Sequence, residues 1–246
     1  MTKINLTKKQ KIILTVIALV VVTIGGFLLI RNRSQKTDQA GNLPIQIQPL
    51  TIDQLPIVSL TAKNSGRELT LAVKASQIPL GDKIEYELIY YLEDGLSRGA
   101  MGEIDLVGGR GERDILLGTC SRNVCRYDEG VTGGEVIISL AKDDQLHSFE
   151  TKFAFLTSSA AYNDQNLEIS TAKGSFIVLE GGGLPAMPDQ EILAGPYVIT
   201  AEAGSGLVDF KLTNQQTLLL FWNQESWEEV EEYEDLSLGT YLLVTP

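Results

Sequence analysis

The pattern of hydrophobic and polar positions separates one unbroken apolar segment from a long region of alternating positions. Residues 12–30 carry no charge, and their polar side chains are Thr15 and Thr23. A helix of this length rises about 28 Å, close to the hydrocarbon thickness of a bilayer. Because backbone groups inside lipid must be satisfied within the segment, we predict a transmembrane helix here. The alternative, a buried helix of a water-soluble domain, would more often carry a polar stripe.

The region from residue 57 to residue 156 alternates with period two. Its apolar positions recur at every second residue in short stretches bounded by Gly- and Pro-containing turns, which is typical of half-buried strands. We predict strands at 57–62, 67–75, 83–92, 101–107, 114–120, 135–141 and 147–156. This number and spacing are typical of an immunoglobulin-like or fibronectin III-like β-sandwich. The predicted fold class is therefore mainly β.

A second composition change follows at 157–167, which is polar and is predicted to be a linker. Beyond it, alternating and apolar stretches predict strands at 167–171, 175–180, 196–203, 207–212, 217–223, 227–233 and 239–245. We predict that residues 168–246 form a second antiparallel β-sandwich that folds independently of residues 57–156.

Two tryptophans mark one hairpin of the second predicted sandwich. Trp222 and Trp227 flank the four residues NQES, a normal hairpin connection, so we expect a cross-strand aromatic pair. Phe221 and Trp222 are adjacent on a strand and must point to opposite faces. We expect Trp222 to be the buried one, with Phe210 and Tyr241 as its neighbours. If the pair is exposed instead, it becomes the best candidate for an interaction site.

The segment between helix and body is predicted to be an extended stalk. Residues 31–56 are rich in Gln, Asn and Thr, and they contain Pro44, Pro49 and Pro56. An alternative is that LPIQIQ, residues 43–48, adds an edge strand to the body.

Charge is divided sharply along the sequence. Residues 1–36 contain seven of the 20 Lys and Arg residues and none of the 32 acidic ones, although the formal charge of the whole chain is −12. The acidic remainder would repel a phosphate backbone, so no nucleic-acid partner is predicted. The basic residues of the tail 1–11 favour a cytoplasmic N-terminus. Residues 37–246 are then expected on the extracytoplasmic side of the cell membrane.

The anchor is predicted to stay attached. Residues Arg31–Asn32–Arg33 follow the apolar segment where a signal peptide would carry a small-residue cleavage site. We therefore interpret residues 12–30 as a signal anchor in contact with membrane lipid.

The two cysteines of the chain lie close together. Cys120 and Cys125 are separated by four residues, and a hairpin would bring their Cα atoms within disulfide range. In an exported protein this pattern indicates a short-loop disulfide, whereas in a cytosolic protein two free thiols are more common. The exported location predicted above favours the disulfide.

The order of motifs in the last part of the chain resembles a known module. GSFIVLEGGGLP, GPYVIT, TLLLFW, SWEEV and LGTYLLV follow one another between residues 174 and 244. This order resembles the ZU5-like β-sandwich module of bacterial surface proteins. The resemblance implies a structural or adhesive role and carries over no catalytic residue. The stretch EDLSLGT at 234–240 departs from the triplet of self-cleaving versions, so no autoproteolysis is expected.

Catalytic and metal-binding motifs are scarce. His147 is the single histidine, and we expect it to be a partly exposed strand residue rather than a general base. The run ESWEEVEEYED at 225–235 is strongly acidic, but it lacks EF-hand spacing. It is interpreted as a solvated face, with weak cation binding as the alternative. We predict no enzyme activity, no metal and no cofactor.

Two functions of different class remain. The first is a single-pass surface protein whose β-sandwiches act as a non-catalytic spacer and interaction scaffold in the cell envelope. The second is a membrane-anchored subunit of an envelope assembly or secretion complex. Both require a protein partner, and the stalk distinguishes them: a scaffold reaching outward would leave it exposed, whereas a complex subunit would bury it.

Overall fold

The computed structural model describes residues 50–75, 81–122, 124–142, 145–157, 160–171, 173–202, 204, 206–214 and 216–246. These ranges belong to one compact unit within Gln46–Pro246. The predicted tail 1–11, helix 12–30 and residues 31–49 of the predicted stalk lie outside the described residues. Inside them, no helix has the length and apolarity that a membrane span requires.

The regular elements of the described residues are all β-strands, which confirms the mainly β prediction. The first nine strands are β1 (Ile57–Lys63), β2 (Glu68–Lys74), β3 (Lys83–Leu92), β4 (Ser97–Asp105), β5 (Arg110–Leu116), β6 (Gly118–Ser121), β7 (Val124–Tyr127), β8 (Val131–Lys142) and β9 (Gln145–Thr157). The other nine are β10 (Tyr162–Asn163), β11 (Leu167–Ser170), β12 (Ser175–Glu180), β13 (Ile192–Ala201), β14 (Leu207–Leu212), β15 (Leu218–Trp222), β16 (Trp227–Glu229), β17 (Leu236–Ser237) and β18 (Gly239–Val244).

One large sheet organises the fold. It has nine strands in the order β16-β15-β18-β13-β12-β9-β8-β3-β4. Three smaller sheets accompany it: β1-β2-β5, β10-β11-β14-β17 and the pair β6-β7. Every strand pairing in the described residues is antiparallel, including β9 with β12, where Phe155 lies opposite Ile177.

The β9–β12 pairing bears on the predicted division into domains. These two strands lie on either side of the predicted linker 157–167, so the predicted sandwiches 57–156 and 168–246 share one sheet. That the two halves fold independently stays a prediction.

The large sheet carries core packing on both faces. The first core contains Leu60, Leu71, Leu88, Ile138, Ile177, Leu179 and Val198, and so includes residues of the three-stranded sheet β1-β2-β5. The second core contains Ile169, Phe176, Val178, Ile199, Phe210, Leu219 and Tyr241, and so includes residues of the sheet β10-β11-β14-β17. Successive residues of β12 alternate between the two cores, because side chains alternate across a strand. This explains why the segment FIVL is apolar without interruption.

The last part of the predicted stalk belongs to the folded body. Leu50 packs against the first core, and Ile52 packs against a third cluster formed by Leu184, Leu220, Leu242 and Val244. The N–H of Gly183 donates a 2.8 Å hydrogen bond to the carbonyl oxygen of Pro56. A Cβ at Gly183 would lie 1.8 Å from the carbonyl oxygen of Leu55, so only glycine permits this approach. Residues 50–56 are therefore packed rather than extended.

One predicted strand is divided in the structure. The stretch 114–120 separates into the ends of β5 and β6 at Leu117, which is completely buried. The N–H of Leu117 donates to the carbonyl oxygen of Arg67, and its own carbonyl oxygen accepts from Asp128 N–H. These bonds direct the chain out of the three-stranded sheet and into the separate hairpin β6-β7.

Candidate functional site

The two tryptophans form the expected cross-strand pair. Trp222 ends β15 and lies directly opposite Trp227, the first residue of β16. The ring centroids are 5.3 Å apart and the ring planes meet at 63°, an edge-to-face arrangement. Both side chains are half-buried, so each ring presents part of its surface to solvent.

Asn223 shapes the turn between them. Its side-chain oxygen accepts hydrogen bonds from the N–H groups of Glu225 and Ser226, at 2.9 and 2.8 Å. Its amide nitrogen donates to Glu228 at 2.5 Å. Gln224 adopts a φ of 84°, a left-handed conformation that the turn stabilises. A side chain that bonds its own turn in this way fixes the direction of both strands.

Trp227 is anchored to a neighbouring loop. Its indole N–H donates a 2.8 Å hydrogen bond to the carbonyl oxygen of Ala186. The ring packs against the third cluster, which includes the buried loop residue Leu184. The indole of Trp227 is thus held in position before any partner arrives.

The prediction that Trp222 is more central than Phe221 is wrong. Phe221 packs against the second core, with its ring centroid 5.0 Å from that of Tyr241. The opposite face of β15 carries Leu218 and Leu220 onto the third cluster, and Trp222 lies at the solvent end of that row. Position along the strand, which residue size does not reveal, decides which of the two aromatic rings meets the core.

The acidic run 225–235 is mostly solvent-exposed. Only Trp227–Glu229 of the predicted strand 227–233 is a strand, and the chain then leaves β16. Val230 is buried and its N–H donates to Leu219, while the carbonyl oxygen of Tyr233 accepts from Phe210 N–H. The carboxylates between these anchors point away from the core. In the described part of the chain, no three or more His, Cys, Asp or Glu residues are grouped to hold a metal ion.

Two open grooves border this segment. The larger has a volume of about 770 Å³ and is lined by Phe210, Lys211, Leu212, Thr217, Glu232, Tyr233 and Glu234. The second, of about 590 Å³, combines Phe176 and Leu207 with the carboxylates of Glu202, Asp209 and Asp235. Both mix apolar floors with acidic rims, which suits contact with a protein surface better than enclosure of a small substrate.

The cysteines lie on the separate hairpin. Cys120 in β6 is directly opposite Cys125 in β7, and their sulfur atoms are 2.02 Å apart, at disulfide distance. The hairpin that the spacing required is therefore present. Arg122 takes a φ of 48° at its turn, and Ser121, Arg122 and Val124 are exposed.

Two contacts hold the base of this hairpin against the body. The phenol of Tyr90 donates a 2.6 Å hydrogen bond to Asp128, directly after β7. Burial and this bond raise the pKa of Tyr90, so the phenol remains a donor at neutral pH. The guanidinium of Arg67 lies 5.1 Å from the ring centroid of Tyr127, within range of a cation–π contact.

His147 differs from its expected environment. Its side chain is 7% exposed, so it is buried rather than partly exposed. It lies opposite Leu140 of β8, a residue of the first core. This position on the core side of the sheet gives the histidine a structural setting.

Other buried polar groups are paired in a structural network. The phenol of Tyr162 donates to Glu180, and that of Tyr197 donates to Asp164, both at 2.6 Å. Burial, followed by these hydrogen bonds, raises the pKa of both phenols. Protonated donors of this kind hold β10 and β11 against the large sheet rather than supplying a proton-transfer group.

Comparison with known proteins gives no further assignment: no family model, curated protein or solved structure matches this chain. The ZU5-like resemblance of the second half therefore stays a prediction. The assignment of a site depends on geometry alone, which singles out the hairpin Trp222–Trp227 with its neighbouring acidic segment. Sequence reasoning found both tryptophans but missed Asn223 and Ala186, since their roles depend on a turn and a loop contact.

Proposed function

We propose that this chain is a single-pass membrane protein whose β-rich body acts outside the cytoplasm as a non-catalytic interaction scaffold of the cell envelope. Residues 12–30 are the anchor, and residues 37–246 lie on the extracytoplasmic side. The observation that carries the proposal is the uncharged apolar segment 12–30, flanked on both sides by basic residues.

Features of the body support this proposal. The cysteine pair at disulfide distance suits an oxidising compartment. The half-buried tryptophans and acidic-rimmed grooves offer protein-contact surfaces. The ZU5-like order of motifs adds a structural or adhesive role for the second half, without assigning residues to it.

Topology is the first test. A reporter that is active only in the cytoplasm, fused after Pro246, is expected to be silent in cells that make the full chain. Deletion of residues 12–30 is the matched control and should restore the signal, because export then fails. A strong signal from the full-length fusion would contradict the proposal.

A second candidate, a membrane-anchored subunit of an envelope assembly or secretion complex, is favoured by the packing of residues 50–56. Leu50 and Ile52 contact the body, so residues 50–56 do not contribute to a free stalk. Gentle detergent extraction followed by native electrophoresis distinguishes the two. A subunit migrates in one defined larger complex, whereas a free scaffold migrates with the mass of the chain and its detergent.

A further inference from the structure

Strand β4 is an open edge of the nine-stranded sheet. Among the described residues, it pairs on one side with β3, and no strand pairs with its other side. It has nine residues, against seven for the outer strands β1 and β5 and three for β16. Such an edge is a template for another strand unless bulges, proline or a covering element block it. The register of β4 against β3 is regular throughout.

The free backbone groups of β4 can be identified from its pairing. The N–H of Leu92 donates to Leu96, and the N–H of Leu106 donates to Asp82, so both pairs are hydrogen-bonded. Hydrogen-bonded and non-bonded pairs alternate along an antiparallel ladder. The even-numbered residues of β4 therefore bond β3, and the odd-numbered residues direct N–H and C=O groups to the open edge. These are Ser97, Gly99, Met101, Glu103 and Asp105. The carbonyl oxygen of Asp105 lies against Gly111 of β5, so the open part of the edge extends from Ser97 to Glu103.

The side chains of the same residues lie on an acidic face. In the register of β3, β4, β8 and β9, one face carries Glu85, Glu87, Glu103, Asp105, Glu135 and Glu150, which we term the acidic face. Its basic residues are Lys83 and Lys152, and Lys83 already pairs with Glu103 at 2.6 Å. Glu85, Glu87 and Glu103 are exposed, so this half of the sheet face is open to solvent.

An apolar centre lies within the acidic face. Met101 is 79% exposed at the middle of the edge strand. Ile137 of β8 is half-buried close by, and together they line a shallow depression of about 330 Å³. Gly99, two residues before Met101 on the same face of β4, is exposed and has no side chain, which leaves room for a side chain of an incoming segment.

We propose that β4 and the acidic face accept an extended basic segment of a partner protein, which adds to the large sheet as an outer strand. Backbone hydrogen bonds to Gly99, Met101 and Glu103 would supply affinity, as in other cases of strand addition. Lys or Arg side chains at alternate positions would lie beside the carboxylates, and an apolar side chain would cover Met101. This inference deepens the proposed scaffold function by naming the chemistry of its partner.

A second copy of this chain fits the edge poorly. In a symmetric antiparallel pairing of two β4 strands, residues on the acidic face could meet only Ser97, Gly99, Met101, Glu103 or Asp105 of the other copy. None of these residues is basic, and the two acidic faces would lie side by side. Like charges placed side by side oppose this pairing, so charge selects a basic partner.

The test uses the full chain in lipid nanodiscs and two capped peptides of about ten residues, one alternating Lys with Val and the other Glu with Val. Fluorescence anisotropy of the labelled peptides at low salt is expected to show binding of the Lys peptide and none of the Glu peptide. Rising salt should weaken the binding, since exposed charges are screened. Equal binding of both peptides, or no binding of the Lys peptide, would overturn the proposal.

Substitutions at the edge separate backbone pairing from charge. Met101→Pro removes an N–H that faces the open edge and leaves the hydrogen bonds between β3 and β4 intact. It should weaken binding of the Lys peptide at least about tenfold. Met101→Val is the matched control, because it keeps the N–H and should retain binding. Unchanged binding by Met101→Pro would refute strand addition.

The charge variant is Glu87→Lys, with Glu231→Lys as its control. Both change the net charge equally, but only Glu87 lies on the acidic face, so only its variant should lose affinity. Equal losses would show nonspecific attraction and overturn the site. Sedimentation velocity without peptide measures the oligomeric state and completes the test. If the wild-type chain is a dimer and Met101→Pro makes it a monomer, the occupant of the edge is a second copy, which contradicts the proposal of a basic partner. These binding results can fail while the topology test succeeds, so the two proposals are judged separately.

Discussion

At the scale of single residues, the second half depends on which aromatic side chain reaches the core. Phe221 packs against Tyr241, and its ring also occupies the space beside Gly239, where a Cβ would lie 2.6 Å from a ring carbon. Trp222 is the larger residue, but it lies at the outer end of the hairpin beside Trp227. Burial rather than size should therefore set the cost of truncation.

We expect Phe221→Ala to lower the free energy of unfolding by about 2–3 kcal/mol and Trp222→Ala by about 1 kcal/mol. Urea denaturation followed by far-UV circular dichroism measures both changes, because the far-UV signal reports the backbone and not the indole that Trp222→Ala removes. Trp222→Phe serves as the control, since it keeps an aromatic partner for Trp227. A larger loss for Trp222→Ala than for Phe221→Ala would contradict the assignment of Phe221 to the core.

At the scale of elements, the hairpin β6-β7 depends on few contacts with the body. Its strands have four residues each and pair only with each other in the described structure. A two-stranded hairpin of this size is marginal in water by itself. The Cys120–Cys125 pair, together with Tyr90–Asp128 at the base, is therefore what we expect to keep it ordered.

The double variant Cys120→Ser, Cys125→Ser should lose at most about 2–3 kcal/mol of stability on the loop-entropy model, while the body stays folded. The opened hairpin should become a trypsin site at Arg122 or Arg126, both of which are exposed. Limited proteolysis with mass spectrometry shows the cleavage position, and non-reducing peptide maps of wild-type protein show the bond. Two freely alkylated thiols in exported wild-type protein would refute the disulfide.

At the scale of the whole molecule, the shared strand β12 couples the two halves. Ile177 and Leu179 belong to the first core, while Phe176 and Val178 on the same strand belong to the second. Further links cross the same boundary: the hydroxyl of Thr200 donates to the carbonyl oxygen of Leu60, and Ser65 N–H donates to Glu202. With such coupling, we expect one cooperative unfolding transition, in place of the two that independent domains would give.

The test of coupling is Ile177→Ala, at a completely buried site of the first core. It should lower the free energy of unfolding by about 2–5 kcal/mol and lower the unfolding midpoints of both halves together. Tryptophan fluorescence reports the second half through Trp222 and Trp227, and hydrogen exchange reports β2 and β3. Leu207→Ala, at an exposed position, is the control and should leave the unfolding midpoint of each half unchanged. Separate midpoints would restore the prediction of independent domains.

The local pattern of the sequence was sufficient for most of the longer strands and for the two short pairings, but not for the division of 114–120 or for the end of β16 at Glu229. Alternation at 83–92 and 147–156 predicted β3 and most of β9, because burial on one face imposes period two. The spacings of Cys120 with Cys125 and of Trp222 with Trp227 predicted hairpins, because a short connection leaves the chain few other geometries. The same local reasoning missed the open edge of β4, because the position of a strand at the edge of a sheet depends on how strands distant in sequence pair.

Sequence alone therefore determined the fold class, the division of charge and the two residue pairs, all of which depend on neighbours along the chain. Tertiary structure decided that β9 pairs with β12 across the predicted linker, that Phe221 rather than Trp222 meets the second core, and that His147 is buried. Each of these depends on residues distant in sequence. A polar connection such as 157–167 has the same composition whether it joins two domains or two strands of one sheet, and only the pairing of the strands distinguishes them.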